Sequence, residues 1–198
     1  DNQSFTIAVT NTNDAPAFTS VPVTAALQDI TYTYNITSTD PDAGDTRTIT
    51  VLSKPPWLTL TDNNDGTATL SGIPLNQHVG STSVVLAVTD ALGAFDNQSF
   101  SITVANTNDA PTFTSAPITA ALQDIAYTYN ITTADPDAGD SRVITVLNKP
   151  PWLNNFTDNG NGTATLSGTP SNGDLGLNPV TLQVTDLAGV TIDQSFTI

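Results

Sequence analysis

The sequence contains no cysteine, no methionine and no glutamate; its 19 acidic residues are all aspartate, opposed by four basic side chains and one histidine. Without cysteine there is no disulfide framework, no thiol nucleophile and no thiolate metal site. The missing methionine reads as a fragment taken from a longer chain. Only Arg47, Lys54, Arg142 and Lys149 carry positive charge, and the formal net charge is −15. A chain so acidic offers no basic face with which to displace counterions, which excludes nucleic acid and anionic lipid as partners. No apolar run is long enough to cross a bilayer and no leader pattern is present. Helical periodicity is absent as well, since no stretch places apolar residues at 3.6-residue spacing.

The dominant feature present is repetition. Asn11-Thr-Asn-Asp-Ala-Pro-Ala-Phe-Thr-Ser20 returns as Asn106-Thr-Asn-Asp-Ala-Pro-Thr-Phe-Thr-Ser115, and from Asn11 to Trp57, 38 of 47 residues recur at an offset of 95. After a one-residue insertion behind Trp152 the match continues at 96. Self-similarity of this kind marks one folding unit used in series. It divides the chain into a first repeat over 11–105 and a second over 106–198, each large enough for a modest core. Residues 1–10 copy Asp96–Ala105 closely and read as the last strand of a preceding repeat, with Phe5, Ile7 and Val9 on one face. Such an orphan strand is expected to pair with an open sheet edge or with another molecule.

Within each repeat, short alternating runs are separated by turn residues. Ile30, Tyr32, Tyr34 and Ile36 share one face; Ile49 and Val51, Ala68 and Leu70, Val84, Leu86 and Val88, and Phe100, Ile102 and Val104 do the same. Asn64-Asp-Gly66 and Gly160-Asn-Gly162 supply the positive φ of a tight hairpin or bulge. The pattern predicts an all-β chain of two tandem antiparallel β-sandwiches, about seven strands each. Lys54-Pro-Pro-Trp-Leu58 and Lys149-Pro-Pro-Trp-Leu153 cannot be central strands, because two prolines donate nothing to a ladder. Trp57 and Trp152 are expected as core plugs, with a stacking platform for a sugar ring as the alternative.

Asp40-Pro-Asp-Ala-Gly-Asp45 and Asp135-Pro-Asp-Ala-Gly-Asp140 each put three carboxylates within six residues. Crowded carboxylates repel unless a cation sits among them, and an all-oxygen donor set suits a hard divalent ion, calcium first. The competing reading is a solvated corner, since Asp, Pro and Gly are also good turn residues. The neighbouring Asn-Thr-Asn-Asp seams, with further amide and carboxylate oxygens, favour the ion. Asp62-Asn-Asn-Asp-Gly66 is not an EF-hand loop, because the twelfth position would be Gly72. His78 aligns with Asp174, so the two repeats share no Ser-His-Asp arrangement. Paired aspartates could serve glycoside hydrolysis, but a duplicated motif that calcium explains makes an enzyme the lesser reading.

The seam Asn-x-Asn-Asp-Ala-Pro-x-Phe resembles the interdomain linker of cadherin repeats, the Asp-Pro-Asp loop resembles their D-x-D loop, and Thr89-Asp-Ala-Leu-Gly93 and Thr185-Asp-Leu-Ala-Gly189 resemble A-x-D-x-G. The stretches from Trp57 to Pro74 and from Trp152 to Pro170 are more similar to dystroglycan-type, cadherin-like and Ig-like tandem repeats of large bacterial surface adhesins. The resemblance covers both repeats. It implies an upstream calcium set of Asn11, Asn13, Asp14, Asp40, Asp42 and Asp90, with Asp45 added. The corresponding central set is Asn106, Asn108, Asp109, Asp135, Asp137 and Asp186, with Asp140 added. The glutamates that cadherins contribute from the preceding domain are missing, so that only Asp29 or Gln28 stands in and one or two ions per junction are expected.

The expectation is therefore a non-enzymatic, secreted or cell-surface protein: extender repeats of an adhesin in which Ca2+ stiffens the linker. Its partners are neighbouring repeats of the same chain, with no membrane insertion. The chain is expected to be a monomer, with the first strand as a candidate intermolecular contact. The alternative is a carbohydrate-binding module presenting Trp57 and Trp152 beside Tyr32, Tyr34, Tyr127 and Tyr129; homophilic adhesion is a third reading.

Overall fold

A computed structural model describes all 198 residues. It separates into two compact units, Asp1–Thr107 and Asn108–Ile198. The first carries eight strands: β1 (Ala17–Phe18), β2 (Ala25–Leu27), β3 (Tyr32–Thr39), β4 (Arg47–Ser53), β5 (Leu58–Asp62), β6 (Thr67–Gly72), β7 (Gly80–Asp90) and β8 (Phe95–Ala105). They form two four-stranded sheets, β1-β3-β6-β5 and β2-β8-β7-β4. The second unit carries β9 (Thr112–Phe113), β10 (Tyr127–Ala134), β11 (Val143–Asn148), β12 (Asn155–Asp158), β13 (Thr163–Gly168), β14 (Pro179–Thr185) and β15 (Thr191–Thr197). Their order is β12-β13-β10-β9 and β11-β14-β15.

Period-2 alternation builds each sandwich. On β3 the buried residues are Tyr32, Tyr34 and Ile36, and their partners across the ladder on β6 are Gly72, Leu70 and Ala68. Thr33, Asn35 and Thr37 face outward between them. Leu86, Val88, Ile102 and Val104 from the opposite sheet close the first core, and Leu182, Val184, Ile144 and Leu166 occupy the equivalent centre in the second. Ile30 departs from the predicted face: the turn that reaches it passes through Asp29 at φ 60°, and its side chain stays exposed.

Two further expectations change. The ladders are antiparallel except that β2 runs parallel to β8, pairing Ala25 with Thr103, Ala26 with Val104 and Leu27 with Ala105. Asp1–Thr10 is not a strand; it makes no ladder and every residue is exposed, because an alternating segment acquires strand structure only when a sheet edge receives it.

Trp152 is a core plug, 6% exposed, edge-on to Tyr127 at 5.7 Å and donating from Nε1 to Asn178 Oδ1 at 3.1 Å. Trp57 lies half-buried, edge-on to Tyr32 at the same 5.7 Å distance. The glycine that closes each Thr-Ala-Thr-Leu-Ser-Gly run is required by this plug. A Cβ on Gly72 would lie 2.0 Å from the Trp57 carbonyl oxygen, and one on Gly168 would lie 2.0 Å from that of Trp152.

Candidate metal site

The acidic site of each unit is assembled from three segments distant in sequence. In the first unit, β3 ends at Thr39 and delivers the loop Asp40–Asp45; Pro41 fixes φ and Gly44, at φ 84°, lets the loop turn back. β7 ends at Asp90 and delivers the turn to β8. The seam Asn11–Asp14 lies across both. Asn11 Nδ2 donates to Asp42 Oδ1 at 2.6 Å, the Asp14 N–H donates to Asp42 Oδ2 at 2.8 Å, and Asn13 Nδ2 donates to Asp90 Oδ2 at 2.8 Å. Carboxylate oxygens of Asp40, Asp42 and Asp45 lie within 4.8 Å of one another.

The second unit repeats the arrangement. Asn108 Nδ2 donates to Asp186 Oδ2 and the Asp109 N–H donates to Asp137 Oδ2, both at 2.8 Å. Asp135, Asp137 and Asp140 again cluster within 4.8 Å. Here the Leu187 N–H also donates to Asp140 Oδ1 at 3.1 Å, tying the third carboxylate to the later turn. Asn106, the counterpart of Asn11, is exposed just after β8, within the first unit.

Two orphaned atoms mark the centre. Asp40 Oδ1 and Asp135 Oδ1 accept the N–H groups of Asp42 and Asp137, at 2.8 and 2.9 Å. Their Oδ2 atoms are buried and accept nothing. A buried acceptor left unmatched is costly, and a buried carboxylate oxygen more so. The donors available are oxygens only, the chemistry of a hard cation, so Asp40, Asp42 and Asp45, and Asp135, Asp137 and Asp140, fit such an ion.

Asp90 and Asp186 frame the clusters. Burial pushes the Asp90 carboxyl up, but the Asn13 amide and the backbone N–H groups of Ala94, Gly93 and Leu92 outweigh it and hold it below the usual carboxylate range. Asp186 is held low chiefly by Asn108, against the opposing effect of burial, with help from the N–H groups of Val190, Gly189 and Ala188. Both are therefore ionised at neutral pH, beside three further carboxylates.

Asp29 is expected to stand in for a glutamate that a preceding domain contributes, not to join the cluster of its own unit. It is at the opposite end of the first unit, where its N–H bonds the Pro74 carbonyl at 2.8 Å and its carboxylate accepts from Gln28 Nε2 at 3.0 Å. Gln28, 1% exposed, clasps the departing chain: its N–H donates to the Ala105 carbonyl and its Oε1 accepts the Thr107 N–H at 3.4 Å. Burial of this glutamine gave no signal in the sequence. His78 and Asp174, which fail to match in a catalytic reading, share a structural task. The Leu75 N–H donates to His78 Nδ1 at 2.9 Å and the Ser171 N–H to Asp174 Oδ2 at 2.8 Å, each closing a 3-10 turn.

The model of a family described as Putative Ig domain matches residues 15–105 and again 110–198. The chain belongs to the Putative Ig domain family. Its two tandem repeats are cadherin-like in fold. The protocadherin gamma B7 extracellular cadherin domains 1-4 align at TM-score 0.61 and 16% identity over 93% of this chain and 49% of that one. The human desmocollin-1 ectodomain aligns at TM-score 0.55 and 17% identity over 95% of this chain and 37% of that one. An endo-fucoidan hydrolase of glycoside hydrolase family 107 is 30% identical at TM-score 0.46, over 93% of this chain. The Putative Ig domain pair spans 28% of that hydrolase's length. No curated protein matches the chain. No helix is long and apolar enough to cross a membrane.

Proposed function

We propose that the chain is a pair of calcium-binding extender repeats of an extracellular adhesin, in which the ion locks the seam entering each repeat onto that repeat's loops. The observation that carries this reading is the buried, unmatched Oδ2 of Asp40 and of Asp135, each inside a cluster of three carboxylates. The same oxygen is left unmatched in both units. Asp40, Asp42 and Asp45 would hold the ion in the first unit, with Asn11, Asn13, Asp14 and Asp90 around it. Asp135, Asp137 and Asp140 would hold it in the second, with Asn108, Asp109 and Asp186 around them.

When bound, a divalent cation supplies the positive charge that neutralises the cluster. The chain's own residues do the rest. Hydrogen bonds from Asn13 and Asn108 already place the seam against the later turn, and Asp42 and Asp137 hold it against the loop. Neutralising the loops removes the repulsion that would open this contact, so each seam loses freedom and the repeat gains stability by mass action. Calorimetric titration of chelator-treated protein with CaCl2, followed by small-angle scattering with and without the ion, tests the reading. Expected are saturable binding and a narrower distribution of dimensions; no heat and no change in scattering would refute it.

A further inference from the structure

Each sandwich has an open side where end strands of its two sheets stand beside each other, β4 and β5 in the first unit and β11 and β12 in the second. Of these strands, β4 and β11 have the composition that recruits another strand. Thr48-Ile-Thr-Val-Leu52 and Val143-Ile-Thr-Val-Leu147 carry no charge, no proline and no glycine, and four of the five residues in each are β-branched. Their side chains include Leu52, Val143 and Leu147, which are 61%, 53% and 54% exposed. The flanking residues are Arg47 and Lys54 in one case and Arg142 and Lys149 in the other, which are all the basic side chains of the sequence. On a chain of formal charge −15, these two edges are therefore where a second, equally acidic copy meets attraction.

In both units the centre of that edge is already occupied. β5 ends at Asp62, whose Oδ2 reaches across the open side and accepts the Ile49 N–H of β4 at 3.2 Å, while its Oδ1 accepts the Asn64 N–H at 3.1 Å. β12 ends at Asp158, and its carboxylate makes the same two bonds, to the N–H groups of Ile144 and Gly160, both at 3.1 Å. Alternate residues of an edge strand turn their backbone groups to the ladder and away from it. Ile49 and Ile144 belong to the outward set, so the N–H each gives to aspartate is one that an added strand would otherwise bond. A carboxylate suits this task because it accepts and does not donate, and so offers the carbonyls of an incoming strand nothing. The rest of the edge is short. A bulge breaks the register between Val51 and Ser53, and between Val146 and Asn148, and the paired prolines that follow have no N–H.

We propose that Asp62 and Asp158 are latches over a latent interface, keeping β4 and β11 from pairing with the same strand of a second copy of this chain. The pairing they prevent is antiparallel. One strand set against its own copy in that way is related by a two-fold axis, so the contact at either edge closes at two copies. Neither latch belongs to an acidic cluster, and the proposal stands whether or not an ion binds there.

Asp62→Ala opens the edge of β4, and Asp158→Ala repeats the test in the second unit should the first variant fail to fold. Asp65→Ala is the control. It removes the same charge and a contact of the same hairpin, where Asp65 Oδ1 accepts the Thr67 N–H at 2.9 Å, but leaves the latch in place. Sedimentation over a concentration series should show the parent and Asp65→Ala as single chains and Asp62→Ala as a dimer, associating at least tenfold more tightly than either. Adding Thr50→Lys sets like charges against each other across the paired edges and should weaken the Asp62→Ala dimer at least tenfold. Thr33→Lys, on the outer face of β3, should leave it unchanged; both threonines are exposed. A folded Asp62→Ala that stays monomeric, a parent or Asp65→Ala that associates as strongly, or equal effects of the two lysines would overturn the proposal.

Discussion

Replacing Asp135 by Asn separates a metal site from a structural turn, because the two predict opposite signs in two buffers. Asn keeps the Oδ1 acceptor for the Asp137 N–H and puts an amide donor where the orphaned Oδ2 was. Without divalent cation the change removes two repulsive pairs, with Asp137 and Asp140, within 4.8 Å. At water-like screening each pair costs about 1 kcal/mol. The chelated variant should thus melt higher than the chelated parent, by about 4–8 °C for each kcal/mol gained in a unit of this size. With calcium the order reverses. One ion at a hundredfold excess over its dissociation constant stabilises the parent by about 2.7 kcal/mol, or about 10–20 °C in the same domain, and the variant forfeits most of it. Differential scanning calorimetry with excess EDTA and then with excess CaCl2 reads both arms, and Asp40→Asn shifts the other unit's transition. A variant less stable by the same amount in both buffers, or a parent whose transitions ignore calcium, would show that the loop is an ordinary turn.

Gly72→Ala and Gly168→Ala push a methyl group into the Trp57 and Trp152 carbonyls and should each cost about 3 kcal/mol, read as a lower urea midpoint at unchanged slope. Burial, reinforced by Tyr34 and Tyr129, pushes the Tyr32 and Tyr127 hydroxyls up to about 12. Their folded values lie above the unfolded one near 10, so the stability they contribute is intact below about pH 10 and is lost as pH rises through 12; absorbance at 295 nm should show late ionisation that Tyr32→Phe and Tyr127→Phe each reduce. Acrylamide should quench Trp57 more than the buried Trp152, and equal, unrestricted quenching of both would revive the carbohydrate platform. Trp152→Ala should destabilise its unit by about 3–5 kcal/mol.

The repeat made the architecture readable. Period-2 alternation at Tyr32, Tyr34 and Ile36 put the correct face inward without knowledge of the fold, because in a sandwich burial and strand period are the same signal. The seam and the loop were legible together because both acidic segments are duplicated, and the turn joined them only through the resemblance to cadherin motifs; nothing local in Asp90 or Asp186 announces that Asn13 or Asn108 will reach it. Other features depend on tertiary contact and left no local trace. The parallel pairing of β2 rests on three residues with no pattern of their own, and the burial of Gln28 follows from where Ala105 leaves the sheet. His78 and Asp174 look unrelated as residue types, yet both serve as acceptors for one backbone N–H, a likeness of lone pairs that no composition reveals. Asp1–Thr10 misleads in the other direction: its alternation is real, but a strand is a relation between two segments.

The few basic side chains are tied by hydrogen bonds to acceptors of the fold itself. Lys54 and Lys149 donate to the carbonyls of Leu58 and Leu153, Arg47 to that of Asp65, and Arg142 to the Thr133 hydroxyl and the Asp140 carbonyl. These cations serve as staples for backbone turns, leaving most carboxylates to be balanced from solution. In colloidal terms each molecule is a polyanion whose counterion cloud is part of its working state. Neighbouring copies repel over roughly 10 Å at 0.1 M salt and over about 3 Å at 1 M. Crowded on a surface in dilute medium, such chains would behave as a brush that holds itself apart, and in brine the same brush would close up.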